Sequence, residues 1–89
     1  MPKNILGLIS MKNNAIPLSQ LPPHKKATIT AINGGFGFQR KLRIMGIREG
    51  CSIMVVSKQP FQGPLTIAVC GSQMTLGRGM ASKIFVEDT

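Results

Sequence analysis

The chain has little of what most enzymes and membrane proteins need. It has 89 residues, with no tryptophan, no tyrosine, three acidic residues and one histidine. Its longest apolar run falls far short of the roughly 18 residues that cross a bilayer, so no membrane span is predicted. The only neighbouring carboxylates, Glu87 and Asp88, lie at the C-terminal end, where they are poorly placed for general acid–base catalysis. We therefore expect a single small domain that is not an enzyme.

Potential metal ligands and disulfide partners are equally scarce. Two cysteines, Cys51 and Cys70, are too few for a disulfide framework, so both thiols are expected to be free. Cys70 ends a strand-like run and is expected to be a small buried apolar residue. Together with His24, these residues lack the spacing of a zinc site or the third group of a Cys–His nucleophile. The sequence predicts no cofactor and no intrinsic metal site.

Positive charge is what the sequence has in excess. Eleven lysines and arginines against three acids give a formal net charge of +8. Such a chain is expected to bind an anionic partner, namely nucleic acid, an acidic protein surface or anionic lipid. Single-strand binders rely on stacking aromatics, which are few here, so a protein partner is favoured over RNA or DNA.

Residues 1–17 are interpreted as an N-terminal arm and residues 18–89 as the domain. Pro17 closes the arm, whose conformation stays open between a short strand, a helical turn and a disordered tail. The apolar core of the arm is five residues long, shorter than the usual ~7–15 of a signal peptide. A cytoplasmic location is therefore expected.

Alternating apolar residues and glycine-rich turns predict five strands and one helix. The helix is placed at 38–45, because Phe38, Leu42 and Met45 share one face, and Gly46 is its expected C-terminal cap. The segment GGFG at 34–37 lacks the context of a phosphate-binding loop and is interpreted as a turn. Short helical turns are predicted near 18–21 and 77–81. The strands are predicted at 26–33, 52–58, 65–70, 73–76 and 83–87.

A mainly β fold follows, because the chain has no room for the crossover helices that parallel strands need. The prediction is a small SH3-like antiparallel barrel of about five strands with one short helix, and an OB-like barrel is the alternative. The expected core comprises Ile29, Leu42, Met45, Ile53, Val55, Ile67, Val69, Leu76, Ile84 and Val86.

The outer side of the predicted helix is basic. Arg40, Lys41 and Arg43 spread over this arc at about 100° per residue, and Ile44 lies among them. An apolar residue within an exposed basic face is typical of a docking surface. A solvated helix with one stray isoleucine is the competing interpretation.

Several segments resemble one known family in order and spacing. LSQLPP at 18–23 resembles its opening motif LSEL-x-PG, and RKLRIMGIREG at 40–50 is similar to R-x-L-x-x-MG-[LI]-x-x-G. PFQGPL at 60–65 resembles P-x-GDP-[IL], although the usual acid is missing. The family is that of the FeoA-like accessory proteins of ferrous iron transport.

The resemblance implies an SH3-like barrel that works in the cytoplasm with the ferrous iron transporter and its GTPase region. Fe²⁺ enters as a possible ligand through this resemblance alone. The expected contact with the transporter comprises Arg40, Lys41, Arg43, Ile44 and Arg48. Two alternatives stay open, a basic barrel that binds RNA or DNA and an iron-sensing module that binds a transition metal itself.

Overall fold

A computed structural model describes residues 15–88 of the chain. Within this range, six strands form one antiparallel sheet in the order β1-β6-β2-β3-β4-β5. A 3₁₀ turn at Leu18–Gln20 and two helices complete the architecture. The strands are β1 (Ile16–Pro17), β2 (Lys26–Ile32), β3 (Ser52–Lys58), β4 (Leu65–Val69), β5 (Ser72–Leu76) and β6 (Ile84–Asp88), and the helices are α1 (Phe36–Ile44) and α2 (Arg78–Ala81).

The mainly β, antiparallel prediction is confirmed, but the sheet is not closed. β1 and β5 are its two edges and do not pair with each other. β1 was not predicted, because two residues are too short to show alternation; it pairs with β6 through Ile16 and Val86. It lies within the segment interpreted as an arm, and the rest of that segment falls outside the described residues.

One cluster of buried apolar residues forms the core of the domain. Most predicted core residues are buried, whereas Met45 is only partly buried and packs against the cluster from the end of α1. Register shifts occur between Ile29 and Ala31 in β2 and between Val55 and Ser57 in β3. Such irregularities bend strands and help the sheet curl around its core. Buried residues that sequence reasoning missed are Leu18, Leu21, Ala27, Ile47, Leu65 and Ala81.

Helix α1 begins at Phe36, two residues before its predicted start. Gly35 has an extended conformation and is the N-cap. Gly37 is tolerated because it lies in the first turn, where backbone N–H groups have no partner within the helix. The prediction that GGFG is wholly a turn is therefore wrong for its second half.

The C-terminal end of α1 is capped as predicted. Gly46 has φ of 91° and donates to the Arg43 carbonyl at 3.0 Å, while Ile47 donates to the Leu42 carbonyl at 2.9 Å. This pair of bonds is a Schellman motif, and the buried Leu42 and Ile47 supply its apolar contact. The cap fixes the rotation of α1, with Leu42 in the core.

Cys70 is not the buried apolar residue that was predicted. It is exposed, and it forms the β4–β5 turn with Gly71, with φ values of 49° and 82°. Two successive positive φ angles are characteristic of a type I′ hairpin turn. Because the turn follows Val69 directly, Cys70 leaves the strand and the core at that point.

Candidate functional site

The exposed side of α1 carries an apolar and cationic stripe. At 100° per residue, Phe36, Arg40 and Ile44 follow one another at intervals of four and lie opposite the buried Leu42. Phe36 is 79% exposed and Ile44 is 76% exposed. With the flanking Lys41 and Arg43, these residues are called here the α1 outer face. Exposed side chains of this size usually have a partner when they cluster.

The cations of the α1 outer face have no internal counter-charge. Arg40, Lys41 and Arg43 are exposed, and the single ion pair within residues 15–88 joins Lys25 to Asp88 at 3.2 Å. Lys41 and Arg43 lie in the last turn of α1, where positive charge stabilises the helix dipole. All three side chains are therefore available to an anionic partner.

Arg48 is placed differently from the other predicted contact residues. It is exposed in the loop between α1 and β3, and its positive charge opposes the rise in the pKa of Cys70 that the hydrogen bond to Cys51 causes. The structure thus brings four of the predicted residues together on α1, and it places Arg48 in the loop that follows the helix.

Phe36 is the residue of this surface that sequence reasoning missed. Its spacing from Arg40 and Ile44 was visible, but the glycines on both sides of it indicated a turn. Phe61 was also not singled out; it lies at the β3–β4 turn with a positive φ of 58° and is 98% exposed.

Potential metal ligands do not gather in the part of the chain that the structure describes. Residues 15–88 contain no group of three or more His, Cys, Asp or Glu side chains that could hold an ion. His24 has φ of 69°, in keeping with its predicted turn. No helix in this range is long and apolar enough to cross a bilayer.

Comparison with known proteins identifies the family. The family model described as "FeoA domain" matches residues 16–88. The chain belongs to the FeoA family. It is 36% identical over 72 residues to the "Putative Fe(2+) transport protein A" of Methanocaldococcus jannaschii, a match that covers 81% of this chain and 85% of the relative.

Solved structures support the same conclusion for the fold. The crystal structure of an "Iron Uptake Regulatory Protein (FeoA)" superposes with a TM-score of 0.78 at 33% identity, covering 84% of this chain and 99% of that one. A manganese-dependent transcriptional repressor superposes with a TM-score of 0.79 at 21% identity, covering 85% of this chain and 42% of that one. The repressor shows a shared fold only. The prediction of an SH3-like fold is confirmed, with a sheet that is open and not closed into a barrel. As a member of the FeoA family, this chain is related to ferrous iron transport.

Proposed function

We propose that this FeoA-family chain is a non-enzymatic accessory module of ferrous iron transport in the cytoplasm. Its α1 outer face binds an acidic region of the transporter's cytosolic GTPase part and thereby modulates uptake. The observation that carries the proposal is the exposed stripe of Phe36, Arg40 and Ile44, in which two large apolar side chains flank a cation that has no ion-pair partner within residues 15–88.

Charge and apolar contact contribute to different steps of binding. The net charge of +8 draws an acidic surface toward the chain and raises the association rate, an effect that salt screens. Phe36 and Ile44 lose water only in the complex and therefore slow dissociation. Burying a side chain of this size contributes about 1.5–3 kcal/mol when it starts fully exposed.

The test measures association and dissociation rates with the purified cytosolic GTPase region over a range of salt concentrations. The double variant Arg40→Glu/Arg43→Glu is expected to slow association and to flatten its salt dependence. The variant Lys3→Glu/Lys12→Glu makes the same change in net charge outside α1, keeps the Lys25–Asp88 ion pair and is the matched control. Equal effects of both double variants would show that binding follows total charge rather than this surface.

A second pair of variants isolates the apolar contribution. Ile44→Asp is expected to raise the dissociation rate roughly tenfold, which corresponds to about 1.4 kcal/mol. Phe61→Asp removes an even more exposed apolar residue from the β3–β4 turn and is expected to leave both rates unchanged. If Ile44→Asp folds and binds normally, the docking surface lies elsewhere.

Nucleic acid is the second candidate, because one observation favours it. Phe36 is exposed beside Arg40, and an aromatic ring next to arginine is a stacking platform for unpaired bases. This function predicts tight binding of single-stranded oligonucleotides with a steep salt slope. It also predicts that Phe36→Ala weakens oligonucleotide binding much more than Ile44→Ala does.

A further inference from the structure

The two thiols of the chain lie next to each other at one end of the sheet. The Cys70 S–H donates to the sulfur of Cys51, with 3.1 Å between the two Sγ atoms. The Cys51 S–H in turn donates to the Gly46 carbonyl at 3.8 Å. Cys70 is exposed and Cys51 is partly buried, and neither forms a disulfide. The chain contains no other cysteine, so any intramolecular disulfide must join these two.

Regular strand pairing would not bring these sulfurs together. Ile53 is opposite Val69 in the β3–β4 ladder, and continuing that register would place Ser52 opposite Cys70. Cys51 and Cys70 would then face opposite sides of the sheet. The pair exists because Cys70 adopts φ of 49° and leaves the extended conformation.

That conformation is costly for a cysteine. Left-handed backbone is unfavourable for residues other than glycine, and the first central position of a type I′ turn is normally occupied by asparagine, aspartate or glycine. Strain of this kind is found preferentially at functional positions. The strained residue here is the one that carries an exposed sulfur to a second sulfur.

The surroundings of Cys70 suit an anionic reagent. Cys70 lines a shallow surface groove of about 170 Å³ together with Lys26, Met54 and Ala68. The hydrogen bond to Cys51 and desolvation raise the pKa of the Cys70 thiol, and the positive charge of Arg48 opposes them. The Lys26 cation in the groove and the positive charge of Arg48 favour the approach of a small disulfide that carries carboxylates.

We propose that Cys51 and Cys70 form a thiol modification site, which a small anionic disulfide such as glutathione disulfide converts into an intramolecular disulfide. The exposed Cys70 loses its proton, and its sulfur attacks one sulfur of glutathione disulfide. The glutathione S–S bond breaks, and one glutathione thiolate leaves and takes up a proton. The sulfur of Cys51 then loses its proton and attacks Cys70 Sγ in the mixed disulfide. The second glutathione leaves as the thiol, so two protein thiols are oxidised and one glutathione disulfide is reduced to two glutathione molecules.

The order of attack follows from exposure. A disulfide from solution reaches the exposed Cys70 first, and Cys51 is already in contact with the sulfur that it must attack. The hydrogen bond to Cys51, followed by desolvation, raises the pKa of the Cys70 thiol. Because the thiolate is the nucleophile, the reaction is best followed at mildly alkaline pH.

The experiment treats the reduced full-length chain with glutathione disulfide in oxygen-free buffer and follows intact mass and free thiols. The wild-type chain is expected to lose two hydrogens in mass and both thiols, and to recover both with dithiothreitol. Cys51→Ser is expected to stop with one glutathione attached to Cys70. At equal exposure to the reagent, the glutathione adduct should be roughly tenfold less abundant in the wild type than in Cys51→Ser, because the second thiol is held in place.

Three outcomes would overturn the proposal. The first is that the wild-type chain keeps the glutathione adduct to the same extent as Cys51→Ser, because Cys51 would then not reach Cys70. The second is that the folded wild-type chain remains a dithiol under conditions in which the same chain, unfolded in denaturant, reacts completely. The third is that a non-reducing gel shows a disulfide-linked dimer as the main product. Circular dichroism of each variant verifies that the fold is retained.

Discussion

Truncation of two residues of α1, Leu42 and Ile44, should change the stability of the domain to very different extents. Leu42 is fully buried at 0% exposure, whereas Ile44 is 76% exposed. Both are aliphatic and sit in the same helix, so replacing each with alanine removes a similar volume from opposite faces. The comparison tests the rotation of α1 on the sheet, on which the assignment of the α1 outer face depends.

The expected magnitudes differ several-fold. Leu42→Ala removes buried methyl groups from a packed core, and such changes cost about 2–5 kcal/mol. Ile44→Ala removes a group that is already in water and introduces a better helix former, so its effect should stay within about 0.5 kcal/mol. Domains of this size have a free energy of unfolding of roughly 5–10 kcal/mol. Leu42→Ala should therefore lose a large share of this stability.

Urea denaturation followed by circular dichroism separates these outcomes. With a slope of about 1 kcal/mol per molar for a small domain, Leu42→Ala should lower the midpoint by at least ~2 M. Leu42→Val provides a milder change if the alanine variant is already unfolded in buffer. Equal midpoints for Leu42→Ala and Ile44→Ala, or a larger loss for Ile44→Ala, would refute the orientation of the helix.

Two further predictions concern the potential ligands and the thiols. Anaerobic titration with Fe²⁺ or Zn²⁺ should find no stoichiometric submicromolar site, because no three suitable ligands cluster within residues 15–88; one such site would favour the iron-sensing alternative. Alkylation of Cys70 by iodoacetamide at neutral pH should be faster in Cys51→Ala than in the wild type. The hydrogen bond to Cys51 raises the pKa of Cys70, and its loss leaves more thiolate. A slower reaction in the variant would contradict this cause.

The sequence by itself determined the fold class and most of the core. In β2, β3 and β4 every second residue of the buried stretch is apolar, which is a local signal because such strands bury alternate residues regardless of their partners. The end of α1 was equally local, since Gly46 supplies the positive φ that a Schellman motif requires. The basic residues of α1 were predictable for the same reason, because a helix of known register has a known outer face.

Only the tertiary structure decided the features that depend on non-local pairing. β1 is a strand because β6 offers a free edge to Ile16 and Pro17, and nothing in two residues encodes that edge. Phe36 joins the exposed stripe because α1 begins at Phe36, despite glycines that favour a turn. Cys51 and Cys70 meet because β3 and β4 pair and Cys70 then adopts a left-handed conformation. Residues separated by 19 positions become neighbours through strand register, which is set by packing of the whole sheet and not by either segment alone.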